Sequence, residues 1–344
     1  MKIGMYNSYF DSYGGGERYM LTLAGHWSKT HEVNVFWDDQ SMLPRAESQF
    51  HLDLSKVKTV PNVFQSGSLI KKILVSSSYN TIVFLSDGSV PTSLATNNIL
   101  HFQVPFTRVP MHPWKKSRYR KIVCNSEFTF QHLDQTLDIP RCVIYPPVTS
   151  GDFQEGKKEN LILSVGRFSA HYQAKKQKVL IDAFQKGRQS GIFTGWKLVF
   201  AGGMLETDRE YFDNLQQKIR SKDIVIIPNA AFNKIQSLYA KAKIYWHAAG
   251  YGETKPEHME HFGISTVEAM SAGCIPVVYN GGGQTEIVKD GITGYLWKTV
   301  DELLFKTQTA TEKKPAIVKK IKKQVEKFTT EIFCRKWDDL LSDL

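Results

Sequence analysis

The chain has 344 residues, 42% hydrophobic and 23% charged, with 24 Gly and 13 Pro, a composition that excludes a disordered, collagen-like or disulfide-stapled protein. Its length suits two domains of roughly 150–200 residues, each able to bury a core without covalent support. The net charge of +10 suits polyanions, anionic lipid surfaces or phosphate-bearing substrates without choosing among them.

Cys124, Cys142, Cys274 and Cys334 lie far apart and show no metal-ligand spacing, so they read as reduced thiols of a cytosolic protein. No apolar stretch follows Lys2, so no signal peptide is expected. Nor is there a run of about 18 apolar residues to cross a bilayer.

From its start, the chain shows strand patterns at 2–6, 32–37, 81–85, 99–102 and 121–125, alternating with helical patterns such as 17–26 and 127–137. The segment 139–149, with Pro140, Pro146 and Pro147, reads as a linker. A second alternation follows, with strands at 161–165, 197–201, 224–227, 244–247 and 275–279. Its helices are expected at 177–187, 208–221, 232–241, 265–272 and 285–288. Such alternation builds parallel sheets, so an α/β fold with two doubly wound domains is expected. The basic run 313–327 reads as a solvated helix face, and Phe328, Ile332, Phe333 and Trp337 as core at helical spacing.

Ligands of open α/β sheets sit at the carboxyl ends of the strands, so residues there carry the most information. Gly14, Gly15 and Gly16 follow the first strand and open the first helix, where the backbone can approach an anion. The pattern is not G-x-G-x-x-G, which disfavours NAD. Gly281, Gly282 and Gly283 repeat the arrangement in the second half. Two such turns suit a phosphate-bearing ligand, and equally two independent structural turns. Gly263 precedes a short helix, so nearby backbone N–H groups can meet an anion. Glu260 lies ahead of that helix and can accept from hydroxyls. Glu268 lies inside it, either to hold a ligand or to close an S-x-x-E capping box with Ser265.

Glu260 and Glu268, with seven residues between them, resemble the E-x7-E motif of glycosyltransferase family 4, whose members are retaining GT-B enzymes. The similarity runs over essentially the whole chain. It includes Gly14 to Glu17, Asn125-Ser126-Glu127, Tyr145-Pro146-Pro147-Val148, Val165-Gly166-Arg167 followed by lysine, and Gly282-Gly283-Gln284-Thr285-Glu286. The resemblance implies the GT-B fold, two Rossmann-like domains facing a central cleft. Residues 1–150 would form the acceptor-side domain, completed by a closing helix at about 326–344, and 151–325 the nucleotide-sugar domain.

The resemblance also implies roles. Glu260 would bind the donor sugar, aided by amides at Phe262, Gly263 and Ile264, with Gly15 and Gly16 also on the donor. Glu268 would hold the ribose, and Arg167 and Lys175 would neutralise the departing diphosphate, as fixed cations in a dry site can. No metal is implied. Seven residues separate Arg167 from Lys175, slightly more than the family commonly shows, so Lys176 stays an alternative. His101, in Ile99-Leu100-His101-Phe102, would orient sugar or acceptor, its alternative being a hydrogen-bonded core histidine. His247 and His261 are lesser candidates.

A glycosidase also needs two carboxylates, but Glu268 inside a helix is better placed for hydroxyls than for attack. The motif segment resembles the lipid-linked mannosyltransferase branch, which makes GDP-mannose the favoured donor and a UDP-sugar the alternative. A glycan or lipid-linked glycan would accept the sugar. Lys71, Lys72, Lys115, Lys116, Arg118, Arg120 and Lys121 stand beside apolar residues, so a cytoplasmic protein in peripheral contact with the inner membrane surface is expected. Nucleic acid is not expected as a partner, since no readout motif accompanies the charge. A catalytically silent sugar-nucleotide-binding module is the remaining alternative.

Overall fold

The computed structural model describes residues 1–12, 14–170, 174–312 and 314–344, with the side chains of 150 and 314–316 left aside. Lys313, the first residue of the basic run, lies outside the described residues. Two units form, Met1–Pro147 with Glu331–Leu344, and Val148–Thr330. The chain thus leaves the first unit inside the proline-rich segment and returns to it at Glu331.

The first unit is a parallel sheet of seven strands: β1 (Lys2–Tyr6), β2 (Glu32–Phe36), β3 (Lys58–Val60), β4 (Thr81–Leu85), β5 (Asn97–Phe102), β6 (Tyr119–Cys124) and β7 (Arg141–Val143). Their spatial order is β3-β2-β1-β4-β5-β6-β7. Both faces are covered, as parallel sheets require. Ile3, Met5, Val33, Val35, Val83 and Val123 point to one face, and Tyr6, Phe36, Ile82, Phe84 and Ile122 to the other. The helices Gly15–Trp27 and Met42–Phe50 cover the first face together with the closing helix Thr330–Ser342. Trp337 anchors that closing helix. Its indole N–H donates to the Tyr19 hydroxyl at 3.1 Å, and its ring stands edge-on to Trp27 at 5.7 Å.

The two three-residue strands at the sheet edges escape the sequence patterns. β7 lies within the segment read as a linker, paired on one side only to β6. Short edge strands carry too little alternation to be seen, and brevity protects an edge from unwanted pairing. The helix expected over 127–137 stops at His132. Asp134 turns the chain there by accepting from the backbone N–H groups of Thr136 at 2.9 Å and Val109 at 2.8 Å.

The second unit is a parallel sheet of six strands: β8 (Glu159–Val165), β9 (Lys197–Gly202), β10 (Ile224–Pro228), β11 (Ala242–His247), β12 (Ile275–Tyr279) and β13 (Tyr295–Trp297). Their order is β10-β9-β8-β11-β12-β13. The winding direction reverses between β8 and β11 here, and between β1 and β4 in the first unit. The basic helix Lys314–Val325 buries Ile317, Ile321 and Val325 while Lys319, Lys320, Lys322 and Lys323 face solvent. Among the described residues, no helix is long and apolar enough to cross a membrane.

Candidate functional site

The reversal between β8 and β11 decides where the second unit can hold a ligand. Adjacent strands whose connections leave in opposite directions open a crevice at their carboxyl ends. The turn after β8 carries Arg167 and Lys175, and the turn after β11 carries Glu260. These residues are 93 apart in sequence at their extremes, yet the topology delivers them to one end of one sheet.

Lys175 Nζ donates to Glu260 Oε2 at 2.5 Å, and His247 Nε2 lies 2.7 Å from the same oxygen. Glu260 is only 7% exposed. Burial alone would raise its pKa, but the Lys175 charge and the His247 hydrogen bond outweigh it and hold the carboxyl well below its ordinary value. His247 is fully buried, and desolvation pushes its pKa down despite Glu260. It is therefore neutral, with its proton on Nε2 facing the carboxylate, and its Nδ1 finds no partner among the described residues. Both donors hold Oε2. Oε1 carries no hydrogen bond to either of these donors.

Lys176 is drawn elsewhere: it pairs with Glu253, whose other carboxylate oxygen meets His258 at 3.2 Å. Arg167 is exposed and has no acidic partner among the described residues. Its backbone is fixed where its side chain is free. Gln177 donates to the Arg167 carbonyl at 2.9 Å, and Gln177 is itself held by the Tyr211 hydroxyl at 2.8 Å.

Glu260 leads into the helix Ile264–Ser271, whose N-cap is Gly263 at φ +117°. Only glycine adopts that conformation without strain. Phe262, Gly263 and Ile264 thus form the amide-bearing helix entry. Ser265 sits inside the helix instead of at its cap, so the S-x-x-E capping box does not form. Glu268 accepts a hydrogen bond from the Tyr239 hydroxyl at 3.0 Å, and Ser265 Oγ one from Tyr245 at 2.8 Å.

The second glycine turn lies against this segment. Gly283 N–H donates to the Glu260 carbonyl at 2.8 Å. At Gly282, φ is +62° and a Cβ would stand 2.1 Å from that carbonyl oxygen. Gly283 leaves equal room for the backbone of His261 and Phe262. These glycines brace the motif that carries Glu260, a use the sequence left open.

The other expected site residues belong to the first unit. Gly15 and Gly16 open the helix Gly15–Trp27 beyond the carboxyl end of β1, and Glu17 secures the turn by accepting from Gly14 N–H at 2.6 Å and Asn7 Nδ2 at 2.8 Å. His101 lies in the core of the first unit. Its ring is 0% exposed and stacked on Tyr19 at 4.1 Å. Nδ1 lies 3.0 Å from the Val123 carbonyl, and Nε2 lies 3.0 Å from the Gln103 amide. Burial lowers its pKa to about 3. A ring so enclosed is a hydrogen-bonded core histidine. It reaches outward only through Gln103, whose Oε1 would stand 3.1 Å from a Cβ on Gly16.

His247, ranked below His101 from the sequence, is the histidine that meets Glu260. Both end apolar strands, and nothing local tells them apart. The available signal was topological, since β11 borders the reversal point. Among the described residues, no cluster of three His, Cys, Asp or Glu side chains could hold a metal ion.

Comparison with known proteins places this geometry. A family model described as "Glycosyl transferases group 1" matches residues 149–327, just over half of the chain. The GDP-Man:Man(3)GlcNAc(2)-PP-Dol alpha-1,2-mannosyltransferase of Dictyostelium discoideum is 26% identical over 261 residues, covering 69% of this chain and 48% of that protein. The Homo sapiens enzyme of the same name is 28% identical over 232 residues, 62% of this chain and 46% of its own. The chain therefore spans about half the length of these relatives. Among solved structures, Anabaena Alr3699/HepE in complex with UDP and glucose aligns over 100% of both chains, with a TM-score of 0.74 and 18% identity. At that identity the likeness speaks for the fold, which is GT-B.

Proposed function

Because this chain belongs to the family of group 1 glycosyl transferases, we propose that it moves a hexose, most simply mannose from GDP-mannose, onto a lipid-linked glycan with retention of anomeric configuration. The observation that carries this reading is the buried Glu260 carboxylate, held on one oxygen by Lys175 and His247, three residues before a helix N-cap. The names of the mannosyltransferase relatives support the donor and the acceptor class.

In this reading Glu260 Oε1 accepts from a sugar hydroxyl, and the amides at Phe262, Gly263 and Ile264 face donor oxygens. Glu268 accepts from the ribose. Gly15 and Gly16 let the first unit's backbone come close to the donor. Arg167 and Lys175 take up charge as the C1–phosphate oxygen bond breaks. The acceptor oxygen bonds to C1 on the same face, and its proton passes to the departing phosphate oxygen, so no protein nucleophile is needed. The two cations would do this without a metal ion. The protein would work peripherally at a membrane surface, where a lipid-linked acceptor resides.

Titration of the protein with GDP and with UDP in EDTA tests the donor. Tight GDP binding supports GDP-mannose. Preference for UDP, the nucleotide named with the Anabaena neighbour, keeps the chemistry and overturns the donor, and binding of neither overturns the proposal. Arg167→Ala is expected to weaken GDP binding by about 10- to 100-fold, the loss of a charge-assisted hydrogen bond to phosphate. Unchanged affinity would remove Arg167 from the leaving group. His247→Ala should lower kcat about tenfold with little change in GDP affinity, since it frees the carboxylate of Glu260 to turn. His247→Gln keeps an N–H near the Nε2 position and should recover part of that loss. Equal activity of the two variants would show that the histidine does not position Glu260.

A further inference from the structure

The helix Leu69–Ser76 of the first unit is built the wrong way round for a surface helix of a water-soluble domain. Leu69, Ile70 and Leu74 are 57%, 71% and 67% exposed. At 100° per residue, Leu69, Ile73, Ile70 and Leu74 fall in order within an arc of about 140°. Lys71, which is exposed, stands about 60° beyond one edge of that arc, and Ile73 within it is half-buried. The side from Val75 to Ser76 faces inward, with Ser76 fully buried, Val75 packed on the core and the half-buried Lys72 between them. An amphipathic helix ordinarily turns its apolar stripe to the core and its lysines to water.

This helix is held in place. Its N-terminus is capped by Ser68 Oγ, which accepts from Lys71 N–H at 3.3 Å. At its other end Ser76 Oγ accepts from Leu94 N–H at 2.9 Å, tying it to the segment 86–96. A second exposed aromatic element is tied to the same segment. Lys115 Nζ donates to the Val90 carbonyl at 2.8 Å and the Tyr119 hydroxyl to the Pro91 carbonyl at 2.6 Å, beside Trp114, which is 44% exposed. Arg118 and Arg120 on this stretch are exposed, and they share with Lys71 and Lys72 the lack of any acidic partner among the described residues.

We propose that the exposed stripe of the helix Leu69–Ser76 is a docking surface for an anionic lipid bilayer. The chemistry selects the occupant. Leu69, Ile70 and Leu74 on one stripe can enter the boundary between headgroups and acyl chains, and the exposed Lys71 at its border can reach the phosphates. The surface deepens the lipid-linked acceptor reading by naming where the protein meets the membrane that holds such an acceptor, although the test of the surface does not depend on the acceptor.

Flotation of the full chain with vesicles of phosphatidylcholine, and of phosphatidylcholine mixed with phosphatidylglycerol, tests it. The protein is expected to float with the mixed vesicles and to bind plain ones less. Ile70→Ser with Leu74→Ser, both exposed positions, should cut partitioning roughly tenfold per side chain. Lys71→Gln should cost about fivefold on mixed vesicles only. GDP affinity, measured beside each variant, should stay unchanged and so report intact folding. No binding by the unaltered chain, or full binding by the double serine variant, overturns the proposal. If instead sedimentation without lipid shows that the unaltered chain self-associates and the serine variant is monomeric, the stripe joins copies of this chain and the lipid assignment falls. Vesicle binding without turnover of a lipid-linked acceptor would leave the surface standing and defeat only the acceptor reading.

Discussion

Replacing Glu260 with glutamine is expected to slow sugar transfer by about 1,000-fold while leaving GDP affinity within about threefold. The substitution keeps volume and removes one charge from a group that is 7% exposed. Three changes follow from the geometry. The acceptor not held by Lys175 and His247 weakens from a carboxylate to an amide oxygen. The amide can also rotate, because an N–H turned toward Lys175 and His247 would face two donors and the side chain must choose which oxygen or nitrogen to present. Finally, Lys175 loses its counter-charge and becomes available to the diphosphate, so nucleotide binding holds or tightens. Removing one partner of a buried pair costs about 3–5 kcal/mol of stability, and with Lys175 at 16% side-chain exposure the cost here should fall at the lower end. Rates from released nucleotide, with titration calorimetry of GDP on the same preparation, separate these effects. Transfer at the original rate would take Glu260 out of the site. Loss of GDP binding together with activity would make it a structural residue.

Gly282→Ala should reduce transfer by about 100-fold although no side chain is lost. A Cβ there would stand 2.1 Å from the Glu260 carbonyl oxygen, at a φ of +62° that L residues with side chains rarely adopt. Backbone cannot yield as a flexible side chain does, so either the turn or the motif must move. Displacing a catalytic group by about 1 Å can cost about 100-fold in rate. The strained conformation adds about 1–3 kcal/mol against the fold. Thermal unfolding and kcat measured on Gly282→Ala, with Gly291→Ala as a control, check the assignment. Gly291 also has a positive φ, +69°, but its Cβ would meet nothing within 4 Å. The control should therefore lose stability and keep its rate. Equal losses of rate in both variants would mean that strain alone, not the push on Glu260, explains the effect.

Much of the fold was legible along the chain because parallel strands buried on both faces are short continuous apolar runs, and runs such as Ile82–Phe84 and Val277–Val278 stand out between polar helical stretches. The edges were not legible. Lys58–Val60, Arg141–Val143 and Tyr295–Trp297 are strands because a neighbour offers hydrogen bonds, and three residues hold no periodicity of their own. Local chemistry also misled at Ser265, where a serine three residues before a glutamate has the form of a capping box. Gly263 caps the helix earlier, at φ +117°, so Ser265 falls inside its first turn.

The same division runs through the site. Spacing within one segment, such as Glu260 to Glu268 or Gly263 to the helix it opens, is a property of the chain and could be read directly. So could the presence of a lysine cluster after Arg167. Which lysine meets Glu260 is another matter: Lys175 and Lys176 are neighbours on the chain, and only the turn of backbone at Lys176, with φ +54°, sends one to Glu260 and the other to Glu253. His101 and His247 show the limit most plainly. Each closes an apolar strand and each has the same intrinsic chemistry. One is enclosed between Tyr19 and a carbonyl of β6, while the other ends the strand beside the reversal point and meets a carboxylate brought from 13 residues away. The sequence by itself determined the strand–helix alternation, the E-x7-E spacing and the supply of cations. Tertiary structure alone decided which of those groups touch, because contact between distant residues depends on strand order and loop direction, and neither is written in any local run of side chains.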